Sequence, residues 1–352
     1  TRLSFSRAHA HNIIKTAEAL TKAGYFKVTV FSSAAEPKLS SVICEEKGIS
    51  NSDLLDVSPQ KRSLLLLVWN QRARIDVLYF RDPFLWHAAF LMRVVLRKRV
   101  VFEVHGSHEW PWGKPFWHLA VFFAHGLVFI TKGLQEYYHP SKPCIVKHVN
   151  GVDMRVFADE GIFLPERKAH LGFPPDVPLI IYTGSFLWYA WDVLIRMMRI
   201  IPPQAMLVLV GAKPEEKEQM EEMARTEGVE NRVRVQTRVI LAEYSLYVRT
   251  ADILVNPLCI SYPGSISSKI FEYLAAGKPI ISTGGKAMEE VLENEKNALL
   301  VDLTPEAFAN AIIRILSDKV LADRLSKNAR ETARRFTWEA RAEDIRSLME
   351  RL

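Results

Sequence analysis

A short segment in the last third of the chain carries residues suited to binding an anionic substrate. Ser267 and Ser268 precede an apolar helical pattern that ends at Gly277, which predicts a short helix with both ends marked. Lys269 and Glu272 lie three residues apart and share one face near its start. Because backbone N–H groups at a helix start attract anions, a lysine there would neutralise phosphate while the carboxylate accepts hydrogen bonds from hydroxyls. The spacing therefore predicts a site for a sugar diphosphate.

This segment, residues 267–281, resembles the donor-site helix of retaining glycosyltransferases with the GT-B fold, of the family-4 type (glycosyl transferases group 1). Each further motif is a weak signal alone, but eight in the family's order strongly favour the resemblance. Together they extend across nearly the whole chain, at residues 6–12, 78–83, 101–106, 149–157, 181–186, 251–257, 297–301 and 336–338.

The resemblance implies a role for each candidate residue. Lys269 would contact the donor diphosphate and Glu272 the ribose hydroxyls. Both would take part in catalysis together with His105, a donor-sugar contact close to the reacting carbon. The resemblance also implies two further sets of binding residues. The donor-binding set is Gly184, Ser185, Ser265, Ser268 and Asn150, and the acceptor-binding set is His9, His11 and Asn12.

The motifs of three other enzyme classes are missing from the sequence. It contains no Gly-x-Gly-x-x-Gly, no Walker A motif and no Asp-x-Asp, which disfavours dinucleotide oxidoreduction, P-loop hydrolysis and metal-dependent transfer. We expect a metal-independent site without a cofactor, in which fixed N–H dipoles and Lys269 offset the charge of the leaving diphosphate. The nucleotide-diphosphate sugar would be a co-substrate. Its sugar would pass to a hydroxyl of a glycan or lipid-linked acceptor, with the retention of configuration that the resemblance implies.

Departures from the family pattern leave an alternative open. Many relatives carry a glutamate where this chain has Gly264, and many carry an arginine and a lysine where it has Ser185 and Tyr189. We expect the loop around Tyr189 to be exposed, which leaves Lys269 as the main cation of the pocket. The alternative is a degenerate GT-B protein that binds a nucleotide sugar or a partner without turnover. A glycoside hydrolase is a third interpretation, which needs paired carboxylates in one cleft.

Strand-like apolar runs alternate with helical patterns along the chain, which predicts an α/β fold with parallel sheets. Two rounds of this alternation predict two doubly wound Rossmann-like domains, and the resemblance implies that they face each other across a cleft in the GT-B arrangement. We expect the first strand of the first domain to be lost or replaced, because a helical pattern begins within a few residues of Thr1. The predicted parts are an acceptor-side domain at 1–155, a nucleotide-sugar donor domain at 156–337, and a C-terminal helix at 338–352 that crosses back to the first domain.

Positive charge is concentrated in the first part of the chain. Residues 1–150 carry 20 lysines and arginines against 11 acidic residues, whereas the net charge of the whole chain is only +6. A basic and aromatic surface favours an anionic membrane or a lipid-linked phosphate, although a buried helix with a solvated basic end explains the same pattern. Nucleic acid is not expected, because no binding motif accompanies the charge. The pattern consists of Arg93, Arg97, Lys98 and Arg99, followed by Trp110, Trp112, Phe116, Trp117, Phe122 and Phe123.

Cysteine usage and hydropathy bear on the compartment. Three cysteines, odd in number and far apart, argue against a disulfide framework and favour a reducing compartment. No apolar run reaches about 18 residues, and no signal peptide is visible. We therefore expect a cytoplasmic protein, with peripheral attachment to the cytoplasmic membrane face as a further option.

Overall fold

The computed structural model describes residues 8–24, 26–32, 56–59, 64–106, 114–148, 150–157, 164–259 and 266–352. The chain divides into two compact units with parallel β-sheets, as the alternating pattern predicts. Unit 1 comprises Thr1–Gly151, Pro263–Ser265 and Trp338–Leu352, and unit 2 comprises Val152–Tyr262 and Ile266–Thr337.

Six described strands form two parallel sheets in unit 1. They are β1 (Thr29–Ser32), β2 (Asp56–Pro59), β3 (Val77–Phe80), β4 (Arg99–Val104), β5 (Gly126–Phe129) and β6 (Cys144–Val146). The larger sheet has the order β3-β4-β5-β6, and β1 pairs with β2. Strand β4 is buried at five of its six positions, as expected for a parallel strand covered on both faces. The described α-helices are Ala8–Lys22, Leu64–Asn70, Trp86–Phe90, Lys114–Phe123, Lys132–Tyr138 and Trp338–Glu350.

The last helix of the chain packs on one face of the larger sheet of unit 1. Trp338 and Ile345 on this helix bury apolar surface together with Val101 and Val128 on the sheet. A Cβ on Gly151 would lie only 2.7 Å from the Trp338 indole, so glycine is required at that contact. The predicted loss of a first strand concerns residues before Ala8, which lie outside the described residues, and it stays a prediction.

The described residues of unit 2 form one six-stranded parallel sheet. Its strands are β7 (Leu179–Thr183), β8 (Met206–Ala212), β9 (Val233–Thr237), β10 (Ile253–Asn256), β11 (Ile280–Thr283) and β12 (Leu299–Val301), in the order β12-β11-β10-β7-β8-β9. Apolar cores lie on both sides of this sheet, because its strands are buried on both faces. The α-helices are Met154–Phe157, Leu164–His170, Trp191–Met197, Pro214–Thr226, Leu241–Thr250, Ser268–Ala276, Pro305–Ser317 and Lys319–Ala333.

The strand order of unit 2 reverses between β7 and β10, which are neighbours in the sheet. From β7 the chain continues to β8 and β9 on one side, whereas β10 leads to β11 and β12 on the other. Loops at the carboxyl ends of two such strands diverge, and the crevice between them is the usual ligand site of a doubly wound sheet. The loops that follow Thr183 and Asn256 therefore lie at the ligand-binding end of unit 2.

Candidate functional site

Lys269 is buried at the start of the Ser268–Ala276 helix. Its Nζ donates a hydrogen bond of 2.6 Å to Oη of Tyr182, and it lies 3.9 Å from the ring centroid of Tyr182 and 3.5 Å from that of Tyr189. Burial lowers the pKa of Lys269 well below its ordinary value, and the charge of Glu272 opposes that shift only in part. Among the residues that the structure describes, Tyr182 is the one hydrogen-bond acceptor of Nζ. The amine therefore keeps donor capacity for a ligand.

Gly184 makes room for this lysine at the end of β7. Its φ of +111° lies in the region that favours glycine, and a Cβ there would come within 3.2 Å of Cε and 3.3 Å of Nζ of Lys269. Gly211 has a φ of +110°, and a Cβ on it would approach the carbonyl oxygen of Gly184 to 2.7 Å. Because both positions lack a side chain, the backbone after β7 and the lysine amine lie against each other. The structure thus brings together two predicted donor residues, Gly184 and Lys269.

Glu272 is half-buried one turn further along the same helix, and a chain of hydroxyl groups fixes its position. The Tyr244 hydroxyl donates to Oε2 of Glu272 and accepts from Oγ1 of Thr183 over 3.1 Å. The Thr183 N–H in turn donates to the Tyr273 hydroxyl over 2.8 Å. Burial raises the pKa of Glu272, whereas the Tyr244 hydrogen bond and the Lys269 charge oppose the rise. The carboxyl group is thus held in one orientation and is partly open to solvent.

Three tyrosines of this site, Tyr182, Tyr244 and Tyr273, were not predicted from the sequence. Tyr182 lies in a fully buried strand and Tyr273 on the buried face of a helix, and both positions read as ordinary core. Their hydroxyl groups gave the only signal, because a buried tyrosine hydroxyl needs a hydrogen-bond partner. The sequence does not indicate that Lys269 and Glu272 contact the hydroxyl groups of Tyr182 and Tyr244.

The loop after Gly184 differs from the sequence-based expectation at Tyr189. Ser185 is exposed, and its carbonyl oxygen accepts a hydrogen bond from the Tyr182 hydroxyl. Tyr189, which we expected to be exposed, is half-buried and covers the Lys269 amine. The physical reason is an antiparallel bridge between Tyr189 and Leu258, which draws the loop onto the chain that leaves β10.

His105, the predicted donor-sugar contact of unit 1, lies just after β4 and is bound to a buried carboxylate. Its Nε2 is 2.6 Å from Oε1 of Glu103, and Oε2 of Glu103 accepts from Nη2 of Arg341 over 2.7 Å and from the Tyr79 hydroxyl. Burial acts to raise the pKa of Glu103, but the positive charge of Arg341 and the bonded His105 outweigh it and hold that pKa well below its usual range. An ionised Glu103 therefore anchors the His105 ring.

Arg341 is one of the members of this network, with Glu103 and Tyr79, that the sequence analysis missed. It is only 1% exposed, and its Nη1 donates to the carbonyl oxygen of His148 over 2.7 Å while its Nε donates to Oγ1 of Thr16 over 3.2 Å. A signal was present, because Arg341 lies three residues after Trp338 and four before Ile345, on the buried face of the last helix. An arginine at such a position predicts a buried carboxylate partner.

Two residues predicted for different sites contact each other in unit 1. Nδ2 of Asn12, predicted to bind the acceptor, donates to Oδ1 of Asn150, predicted to bind the donor, over 2.6 Å, and both side chains are buried. The backbone of His9 and His11 belongs to the Ala8–Lys22 helix, but their side chains lie outside what the structure describes. Ser265 is also outside the described residues, and Ser268 is half-buried at the start of its helix. The roles of these residues stay predictions.

Metal ligands and membrane-spanning helices were sought within the described ranges. No three side chains of His, Cys, Asp or Glu come together there as a metal ion would require, and metal independence stays a prediction. None of the helices in these ranges has the length and apolar character needed to cross a membrane.

Comparison with known proteins relates part of the chain to one family. Residues 177–318 match the family model of glycosyl transferases group 1. This segment is similar to the group 1 glycosyltransferase family. A D-inositol 3-phosphate glycosyltransferase of Xylanimonas cellulosilytica is 30% identical over 180 residues, which are 50% of this chain and 42% of the relative. The lipopolysaccharide core biosynthesis glycosyltransferase LpsE of Rhizobium meliloti is 27% identical over 216 residues, which are 55% of this chain and 60% of that relative. The chain spans about half the length of the curated relatives it matches.

Solved structures of low sequence identity share the fold of this chain. Anabaena Alr3699/HepE in complex with UDP has a TM-score of 0.80 at 18% identity, covering 97% of this chain and 96% of the other. Sucrose-phosphate synthase from Thermosynechococcus elongatus has a TM-score of 0.75 at 19% identity, covering 98% and 93%. The predicted GT-B fold and the predicted resemblance to group 1 glycosyltransferases are thereby confirmed.

Proposed function

We propose that this chain transfers a sugar from a nucleotide-diphosphate donor to a hydroxyl acceptor, with retention of configuration and without a metal ion. The observation that carries the proposal is the buried Lys269 amine beside Gly184, at the ligand-binding end of the unit 2 sheet. A cation with spare N–H donors in a place shielded from water is suited to a diphosphate. Anabaena Alr3699/HepE, which has been solved with UDP and with UDP-glucose, has the same fold.

On the donor side, Lys269 binds the diphosphate together with the backbone N–H groups at the start of its helix. Negative charge grows on the diphosphate as its bond to the sugar breaks, so these groups stabilise the transition state more than the ground state. Glu272 accepts hydrogen bonds from ribose hydroxyls, because Tyr244 occupies only one of its oxygens among the described contacts. In the retaining reaction that we propose, the acceptor hydroxyl attacks from the face that the diphosphate leaves.

In unit 1, His105 contacts the donor sugar. Glu103 accepts a hydrogen bond from Nε2 of His105 and so holds the ring in one orientation. Arg341 keeps Glu103 ionised and is a positioning residue for this histidine. This arrangement fits a group that must meet a substrate in a fixed geometry, where small misplacements lower the rate.

Donor-site variants test the proposal. Lys269→Ala should weaken binding of UDP-, GDP- or ADP-sugars, whichever the wild type binds, and slow transfer by roughly tenfold or more, because a charge-assisted hydrogen bond contributes about 1.5–3 kcal/mol. Glu272→Ala should weaken binding of the nucleotide sugar but not of pyrophosphate.

Lys319→Ala, at an exposed lysine of unit 2, is the matched control. Calorimetry with and without EDTA measures all four proteins. Unchanged affinity and turnover in both site variants would place the site elsewhere, and binding that EDTA abolishes would contradict metal independence.

The alternative is a degenerate GT-B protein that binds a nucleotide sugar or a partner without turnover. Ser185 and Tyr189 favour it, because neither adds charge to the diphosphate pocket. Donor hydrolysis and transfer measured beside donor binding separate the two functions. Tight binding without any product would support the alternative.

For the acceptor we propose a glycan or a lipid-linked substrate, reached from the cytoplasmic face of a membrane. An aromatic patch on unit 1 supports the membrane location, because Phe84 and Phe122 are 59% and 67% exposed. Arg93 and Lys142 both donate to the carbonyl oxygen of Phe122, so positive charge lies at the backbone of the residue that carries the exposed ring. Such a surface suits anionic headgroups. The patch consists of Phe84, Phe90, Phe116, Phe122 and Phe123.

A further inference from the structure

The ring of Tyr189 forms one wall of the space that holds the Lys269 amine. Nζ of Lys269 is 3.5 Å from the centroid of this ring and 3.9 Å from that of Tyr182. A lysine amine at this distance from an aromatic face is attracted by the ring quadrupole when it is charged. The two rings thus replace part of the hydration that the amine loses on burial.

The two tyrosines differ in how they are held. The Tyr182 hydroxyl is engaged twice, since it accepts from Lys269 and donates to the carbonyl oxygen of Ser185. The backbone around Tyr189 is paired, and its hydroxyl hydrogen-bonds the Ser267 side chain. Its bridge to Leu258 is extended by a hydrogen bond of 2.9 Å from the N–H of Ala190 to the carbonyl oxygen of Pro257. Main-chain pairing and the Ser267 hydrogen bond together hold Tyr189 against the lysine.

The position of the Lys269 amine determines how well it can bind the donor diphosphate. With the Tyr189 ring on one side and the Gly184 backbone on another, Lys269 has little freedom to turn away from the end of β7. A cation fixed before the ligand arrives loses less conformational entropy on binding than a free lysine does. A second cation in the loop is then not the only way to strengthen diphosphate binding.

We propose that Tyr189 is a positioning residue, which holds the Lys269 amine beside Gly184 in the orientation that binds the donor diphosphate. The inference rests on the proposed function, because the diphosphate is the ligand that the amine is positioned to meet. A lysine at position 189 would add a charge to the phosphate pocket, whereas Tyr189 supports the pocket by holding Lys269 in place. The aromatic face is the required feature, so phenylalanine should replace Tyr189 and leucine should not.

The experiment compares wild type, Tyr189→Phe, Tyr189→Leu and Lys269→Met as full chains whose folding is checked by circular dichroism. In the absence of ligand, the Hε protons of Lys269, assigned with Lys269→Met, should show an upfield ring-current shift in the NMR spectra. The shift should persist in Tyr189→Phe and shrink in Tyr189→Leu. Calorimetric titration with pyrophosphate should give affinities within about twofold of wild type for Tyr189→Phe and at least about tenfold weaker for Tyr189→Leu.

Each contrary outcome identifies the idea that fails. A wild-type spectrum without the ring-current shift, or unchanged pyrophosphate affinity in a folded Tyr189→Leu, would overturn the positioning role alone. Equal pyrophosphate binding by wild type and Lys269→Met would instead overturn the proposed function, whatever the ring-current shift shows.

Discussion

Lys269 is buried, although a lysine amine is ordinarily charged and exposed to water. The groups that face its amine are Tyr182 on β7, Tyr189 in the following loop and Glu272 on its own helix. Only Glu272 among them favours the charged form by its own charge, and burial lowers the pKa of Lys269 in spite of it. The free protein is therefore destabilised by an amine that the unfolded chain protonates more easily.

The lowered pKa of Lys269 predicts how the stability of the protein depends on pH. Burial of the charged amine lowers the free energy of unfolding. This destabilisation is greatest at pH values below the lowered pKa of Lys269, and it disappears as the pH rises toward the ordinary lysine pKa. Without ligand, Lys269→Met should have a higher Tm than wild type at neutral pH, and the difference should shrink toward alkaline pH. Scanning calorimetry across pH measures it, with Lys319→Met as the exposed control. A Tm difference that grows with pH would contradict the lowered pKa.

At the level of single residues, the sequence predicted some features of the site but not others. Capping and spacing were enough to place Lys269 and Glu272 on one helical turn, because both are local properties of the chain. Their partners Tyr182 and Tyr244 are about 87 and 28 residues away along the chain. Such contacts depend on which strands and helices become neighbours, and local sequence patterns do not predict which ones do.

Among the elements, the last helix has the clearest energetic role. Arg341 carries its charge into unit 1 and pairs there with Glu103, and both side chains are only 2% exposed. A buried charge whose partner is removed is strongly unfavourable, although replacing both partners costs much less. The orientation of His105 and the packing of the helix thus depend on one ion pair.

Arg341→Met should therefore destabilise unit 1 by about 3–5 kcal/mol. Arg341→Met combined with Glu103→Gln should recover much of that loss, because the buried carboxylate is then no longer left without Arg341. Arg346→Met is the control on the same helix, since its partners Glu343 and Glu350 are exposed and such pairs contribute about 0–1 kcal/mol. Denaturant unfolding of the four proteins measures the series. An equal loss in Arg341→Met and Arg346→Met would show that the buried pair has no special weight.

For the whole molecule, the sequence was sufficient to predict two parallel-sheet units and the resemblance to group 1 glycosyltransferases. Alternation of strands and helices is a repeated local signal, and it survives even where individual bounds shift by a few residues. The strand order was not predictable in the same way. That β10 lies next to β7, and so creates the ligand-binding end of unit 2, depends on hydrogen bonds between strands about 70 residues apart. The charge excess of residues 1–150 was visible from composition, but the exposure of Phe122 was not.

The uneven charge of the whole chain leads to a prediction about membranes. The protein should sediment with vesicles that contain phosphatidylserine, and binding should fall as salt rises, because exposed charge attraction is screened. The double variant Phe84→Ser/Phe122→Ser should bind roughly tenfold more weakly, since each ring buries apolar surface in the headgroup region. Val320→Ser is the matched control, because Val320 is 76% exposed but lies in unit 2. Equal binding to neutral and anionic vesicles, or no binding to either, would remove the basis for a membrane-bound acceptor and favour a soluble one.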